Sequence, residues 1–216
     1  MNFFDFHHHN FEKECGIFNL KFNDELPESI FSAGIHPQSI TIGVEDEFLW
    51  LKEISKLSNC VAIGECGLDG LVDVEEKLQE VVFERQVYLA NEIKKPLIIH
   101  CVRRFSRLIH FRKLSKVPMI VHGFNKRKTI GDDLLKDDFY LSFGKSVLYN
   151  VNLQEFLKEF PLDRLFLETD SADFQIVELY QKVASLKNIE PEDLLKIVKQ
   201  NLQNIQISIL NAEKLA

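Results

Sequence analysis

Eight short runs of β-branched and aromatic residues recur along this 216-residue chain, and most stop at a polar or ionisable side chain before a helix-like stretch begins. In order they read FFDFHH, IFNLKF, SIFSAGIHP, CVAIGEC, PLIIHC, PMIVHGF, DFYLSFG and RLFLETD. That rhythm constrains the fold more than any other feature. Runs of this length and composition read as strands, and strands alternating with helices favour a parallel sheet with helices on its faces. The clearest helix lies at roughly residues 74–94, where Val82, Phe83, Ala90 and Ile93 share one face, together with Gln79 and Gln86. Two more helices close the chain, the second opened by Pro191, whose fixed φ suits a first helical turn. No repeat, low-complexity tract or Pro/Gly/Ser linker divides the sequence, so residues 1–216 read as one domain.

Eight parallel strands suggest a closed β/α barrel of the TIM type. The first third departs from the pattern. About seven residues separate FFDFHH from IFNLKF, and the next gap is as short, whereas a parallel crossover normally takes a dozen or more. The expectation is a barrel abbreviated there, with its second strand running antiparallel between the first and third.

In a parallel barrel the C-terminal strand ends converge on one face, where active sites are built. His36, Glu65, His100, His122 and Asp170 all stand at such ends. In Phe6-His7-His8-His9, side chains alternate between faces, so His7 and His9 point one way and His8 the other. Two imidazoles at i and i+2 can share one metal ion. Together, four imidazoles (His7, His9, His100, His122) and two carboxylates (Glu65, Asp170) suit two divalent ions, since a single catalytic Zn²⁺ usually takes three protein ligands and water. Such mixed ligands fit Zn²⁺, Mn²⁺ or Fe²⁺, and Mg²⁺ less comfortably.

Charge and cysteine usage limit the partners. The net charge of −7 repels a polyanion, so a nucleic-acid substrate requires a local basic face. No secretory leader or bilayer-length apolar run is evident, and the four cysteines (Cys15, Cys60, Cys66, Cys101) form no CxxC pair. A reduced, cytoplasmic monomer is expected, with Cys66 and Cys101 as buried thiols facing the helix layer and the eighteen phenylalanines as core filler.

The sequence resembles the TatD-related deoxyribonucleases, metal-dependent hydrolases on an amidohydrolase-like barrel. The resemblance rests on DFHHH at Asp5–His9, GIHP at Gly34–Pro37, AIGECGLD at Ala62–Asp69, PLIIHC at Pro96–Cys101, VHGF at Val121–Phe124 and LETDS at Leu167–Ser171, with Gln79, Phe83 and Gln86 matching the intervening helix. It implies that His7, His9 and Asp170 hold one ion, that His100 and His122 hold a second, and that Glu65 bridges them. It further implies that Asp5 steadies the histidine pair from behind, that His36 faces substrate, and that Asp69 supports the Glu65 loop. The implied catalytic residues are Asp170, Glu65 and His36. The implied reaction is hydrolytic removal of nucleotides from DNA ends, RNA or aminoacyl-tRNA esters being the substrates of some members.

Substrate-facing positions depart from the family pattern. Val102-Arg103 follows His100-Cys101 where Arg-Asp is usual, Gly70-Leu71 replaces an aromatic pair, Gly123 stands for Cys, and Ala172 for Pro. The segment from His9 to His36 is also shortened. Arg103, Arg104, Lys126 and Arg127 follow ligand-bearing strands and are expected to contact phosphate. Phe105 or Phe124 offers a stacking ring. Two rivals to a nuclease remain: a two-metal hydrolase of an acyl ester or amide, such as an aminoacyl-tRNA or small metabolite, and a non-catalytic metal-binding scaffold.

Overall fold

A computed structural model of the chain describes residues 2–41 and 43–208. Its sheet has eight strands in the order β1-β2-β3-β4-β5-β6-β7-β8, every adjacent pair parallel. The strands are β1 Asp5–His8, β2 Gly16–Leu20, β3 Phe31–Ala33, β4 Cys60–Asp69, β5 Leu97–Val102, β6 Met119–Val121, β7 Tyr140–Phe143 and β8 Leu165–Leu167. The ends of β1 and β8 meet through the His9 amide donating to the Asp170 carbonyl (3.3 Å) and the Asp170 amide donating to the His7 carbonyl (2.9 Å), nearly closing a TIM-like barrel. All eight expected strands are present.

The second strand is parallel, not antiparallel as its short connections led us to expect. The dozen-residue minimum assumes a helix in the crossover. A four-residue strand such as β1 is only ~13 Å long, and the seven residues between His8 and Gly16 can span up to ~24 Å. The chain therefore returns to the start of the barrel without a helix. Gly16 lets β2 lie close, since a Cβ there would sit 2.5 Å from the Asp5 carbonyl and 2.7 Å from the His8 ring.

From β3 onward helices cover the outside: α1 Val44–Ile54, α2 Glu76–Ile93, α3 Phe105–Leu114, α4 Lys128–Lys136, α5 Val151–Glu159, α6 Ile176–Lys187 and α7 Pro191–Asn204. On α2 the expected face is inward, with Val82, Phe83, Val87 and Ala90 buried and Ile93 packed at its edge. Most of the phenylalanines are buried, among them Phe6 stacked on Phe166 inside the barrel, and Phe124, Phe143, Phe156 and Phe160 packed in edge-to-face and tilted pairs between β7 and α5. Aromatic pairs of this kind are worth about 0.5–1.5 kcal/mol beyond the area they bury. The Tyr180 hydroxyl on α6 donates to the Phe4 carbonyl (2.9 Å), anchoring the entry to β1 and hence the histidine run. No helix among the described residues is long and apolar enough to cross a membrane.

Candidate metal centre

Glu65 occupies the middle of the C-terminal mouth because β4 is bent around it. Gly64 (φ 155°) and Gly67 (φ 139°) flank the Glu65-Cys66 pair, and at both the neighbouring strand β5 leaves no room for a Cβ. At Gly64 a Cβ would lie 2.5 Å from the Ile98 carbonyl; at Gly67 it would run into the His100 carbonyl. The glycines of IGECG thus let β4 hug β5 and bring Glu65 alongside His100. The Asn19 side chain on β2 accepts from the Glu65 amide (2.9 Å) and holds this backbone from the other side.

The two carboxylate oxygens of Glu65 face different histidines. Oε2 lies 3.6 Å from His7 Nε2 and 3.7 Å from His9 Nε2. Oε1 lies 3.0 Å from His100 Nδ1, 2.9 Å from His122 Nε2 and 3.4 Å from His36 Nε2. Asp170 completes the first group, its Oδ1 lying 3.2 Å from His9 Nε2 and 3.9 Å from His7 Nε2. Ligands at ~2.0–2.1 Å from one tetrahedral ion stand ~3.3 Å apart, so groups at these spacings could share an ion. Asp170 carries a left-handed φ of 53°, a conformation Asp tolerates, which turns its carboxylate toward the histidines.

The chemistry of the donors also fits cations. His7 is fully buried and neither of its ring nitrogens has a hydrogen-bond partner, an arrangement that costs free energy unless an ion uses a lone pair. His100 points Nε2 at Asp69 Oδ2 (2.8 Å), which fixes the proton there and leaves the Nδ1 lone pair facing Glu65. A lone pair facing a carboxylate requires a proton or a metal between them. Burial pushes the Glu65 carboxyl up, but His122, His100 and His36 outweigh it and hold it well below the usual range. Burial disfavours charge on His122, yet Glu65 and Glu168 raise its pKa well above the usual value. At Asp170 burial is again outweighed, by His9 first, and the pKa is lowered. The cavity demands positive charge.

His8 points away, as alternation requires; it is fully buried beside Phe18 with both ring nitrogens unpartnered, and burial together with Lys13 lowers its pKa to about 3. Asp5 makes no bond to the histidines. It accepts from Lys13 Nζ (2.6 Å), from the Thr169 hydroxyl (2.6 Å) and from the Thr169 amide (2.9 Å), so it braces the β8 end next to Asp170. Asp69 supports the site through His100, and is itself held by Gln79, which bonds both its amide (2.8 Å) and its carbonyl (3.0 Å). Gln86 does the same for Ile35, accepting from its amide (2.7 Å) and donating to its carbonyl (3.1 Å), and thereby sets the backbone before His36. His36 Nδ1 accepts from the Gln38 amide (3.0 Å), so its Nε2 side turns to Glu65 within the same range as the expected ligands.

Asn19 and Glu168 had no sequence role. Glu168 is fully buried, accepts from the Gly123 amide (2.6 Å) and faces His122 Nδ1 at 3.4 Å. Its place beside Asp170 in LETDS was the available signal. Cys66 and Cys101 are buried as expected, their thiols pushed far up by burial, Cys101 to about 12.

The basic residues divide. Lys126 lines a cavity of about 180 Å³ together with Glu65, His100, His122 and Asp170. Arg104 is taken by an ion pair with Glu76, Arg103 is exposed beside a groove between α3 and α4, and exposed Arg127 precedes α4 without a side-chain bond to its first turn. Phe124 is core, and Phe105 is half-buried at the edge of the small cavity. A larger cavity of about 660 Å³ opens on the other side of Glu65, between the loops after β2 and β3.

A family model described as TatD related DNase matches residues 18–206. An uncharacterised metal-dependent hydrolase, YabD of Bacillus subtilis, is 30% identical over 191 residues, covering 80% of this chain and 75% of its own. A protein of Rahnella named 3'-5' ssDNA/RNA exonuclease TatD is 32% identical over 194 residues, covering 83% of this chain and 71% of its own. In fold, the chain is similar to a hydrolase TatD family protein from Entamoeba histolytica, with a TM-score of 0.77 at 19% identity over 95% of this chain and 98% of that one.

Proposed function

The chain belongs to the TatD-related DNase family and is a metal-dependent hydrolase, and from that premise we propose that it releases nucleotides from the ends of single-stranded nucleic acid with two divalent ions. The observation that carries the two-ion reading is Glu65, whose Oε2 lies nearest His7 and His9 and whose Oε1 lies nearest His100 and His122. His7, His9 and Asp170 would hold one ion, His100 and His122 the other, with Glu65 between. Divalent ions bound there supply Lewis acidity, bringing the pKa of water toward ~7 and neutralising phosphoryl charge.

The protein's own groups do the rest. Asp69 keeps His100 in the tautomer that presents Nδ1, as outer carboxylates do for ligating histidines. The Asp170 carboxylate is the most exposed acidic group of the centre, its side chain 39% accessible, and is placed to accept the proton of the attacking water. Lys126, at the mouth of the small cavity, would contact a phosphate oxygen, and His36 would orient the phosphoryl group from the opposite side. This local set offsets a net charge that otherwise disfavours polyanions.

The test is nucleotide release from an end-labelled single-stranded oligonucleotide. Protein stripped of metal and resupplied with Mg²⁺, Mn²⁺ or Zn²⁺ is compared with its Glu65→Ala variant. Metal-dependent release that disappears in the variant is the expected result. No release from metal-loaded protein would refute the nuclease reading.

A further inference from the structure

The larger cavity holds a group that the hydrolytic site does not use. Glu47 lies in the first turn of α1, on its inward face, and is only 8% exposed. Among the described residues its carboxylate makes no side-chain hydrogen bond and no ion pair, although Lys21 lines the same cavity. Burial alone pushes its pKa up. Acidic residues in a first helical turn complement the helix dipole; here the carboxylate also borders the cavity, its oxygens open to that space and without a partner among the described residues. Glu47 shares the cavity wall with Phe22, Gln38 and Ser39, and the cavity runs without interruption to His9, His36 and Glu65. Its volume, about 660 Å³, is that of a small-molecule pocket. Among the described residues no cluster of three or more His, Cys, Asp or Glu groups includes Glu47.

An occupant reaching from Glu65 into this cavity has its phosphate at the site and its opposite end at Glu47. On the nucleotide reading that end is a base, which is uncharged, and facing a carboxylate that only accepts it must present hydrogen-bond donors. Aromatic bases meet this requirement unequally. Guanine presents two adjacent donors, N1–H and the N2 amino group, which match the two oxygens of a carboxylate. Cytosine and adenine present one amino group next to an acceptor nitrogen that the second oxygen repels, and uracil or thymine sets its single N–H between two carbonyls. We propose that this cavity is a nucleobase subsite that selects guanine, with Glu47 accepting both donors of its Watson–Crick edge and the Phe22 ring lying against the base. The proposal rests on the nucleotide reading of the adjacent site and names the substrate preference within it.

Trp50 supplies a readout that needs no turnover. It is the single tryptophan of the chain, and its ring meets Phe22 edge to face at 5.5 Å. Titrations of metal-loaded protein with GMP, AMP, CMP and UMP, followed by Trp50 fluorescence, measure occupancy of the cavity. GMP is expected to bind about tenfold or more tightly than the others, the discrimination a bidentate pair gives. Glu47→Gln, similar in size but carrying one acceptor and one donor, should abolish that preference while its melting temperature stays at the parent value. Glu47→Asp, which keeps the charge on a shorter arm, should retain part of it. Single-stranded oligonucleotides of one internal sequence, ended by G, A, C or T, test the same preference in release. Equal affinity for the four nucleotides, or a GMP preference that survives Glu47→Gln, would overturn the proposal. GMP selectivity without release from any oligonucleotide would leave the subsite standing and remove the nuclease reading.

Discussion

Gln86 provides the sharpest test of how α2 shapes the site. It is fully buried, and its amide closes a two-bond ring with the Ile35 backbone, accepting at 2.7 Å and donating at 3.1 Å. Gln86→Leu keeps nearly the same volume and leaves no void, so the expected loss comes from the Ile35 amide and carbonyl alone. Each buried backbone group left without a partner costs about 1–3 kcal/mol, which gives about 2–6 kcal/mol for the pair. For a chain of this size about 3 kcal/mol lowers the melting temperature by about 6–12 °C. Thermal and urea unfolding of the parent and variant measure the difference. Because Ile35 precedes His36, activity should also fall at a temperature where the variant is fully folded. A loss below about 1 kcal/mol, or an unchanged melting temperature, would show that the ring carries none of the energy assigned to it.

Other consequences are equally direct. Asp69→Asn removes the carboxylate that accepts from His100 Nε2, and should weaken one of two metal equivalents about 10–100-fold while sparing the other, as read by calorimetric titration. Gly67→Ala puts a methyl group against the His100 carbonyl at a φ of 139°; a stability loss of about 2–4 kcal/mol is expected in urea unfolding. Burial raises the Cys60 thiol from its ordinary 9.0 to about 11, so the folded state retains a proton the unfolded chain releases. Its contribution is complete below pH 9 and is lost between pH 9 and 11, a decline of about 3 kcal/mol that should be absent from the pH–stability curve of Cys60→Ala.

What could be read from the residues alone follows physical lines. Strands rich in β-branched and aromatic residues are recognisable one by one, and a polar side chain ending an apolar strand is conspicuous, so His7, His9, Glu65, His100, His122 and Asp170 stood out in the sequence. The direction of β2 did not, because linker length bears on it only once strand length is known. Asp5 was expected behind the histidines and instead braces Thr169; a buried carboxylate takes whatever donors lie nearest, and here Lys13 arrives from the β1–β2 loop. Arg104 was expected at phosphate but lies against Glu76 of α2, a cross-helix pairing that no local pattern signals. Asn19 and Glu47 look like ordinary polar residues in sequence; their meaning comes from burial.

The two-ion centre is tested most directly by anomalous diffraction from crystals of the Mn²⁺- or Zn²⁺-loaded protein. Two anomalous peaks are expected, ~3.5–4 Å apart, on either side of the Glu65 carboxylate, one among His7, His9 and Asp170 and one beside His100 and His122. One peak, or none at Glu65, would contradict the bridging role on which the proposed chemistry depends.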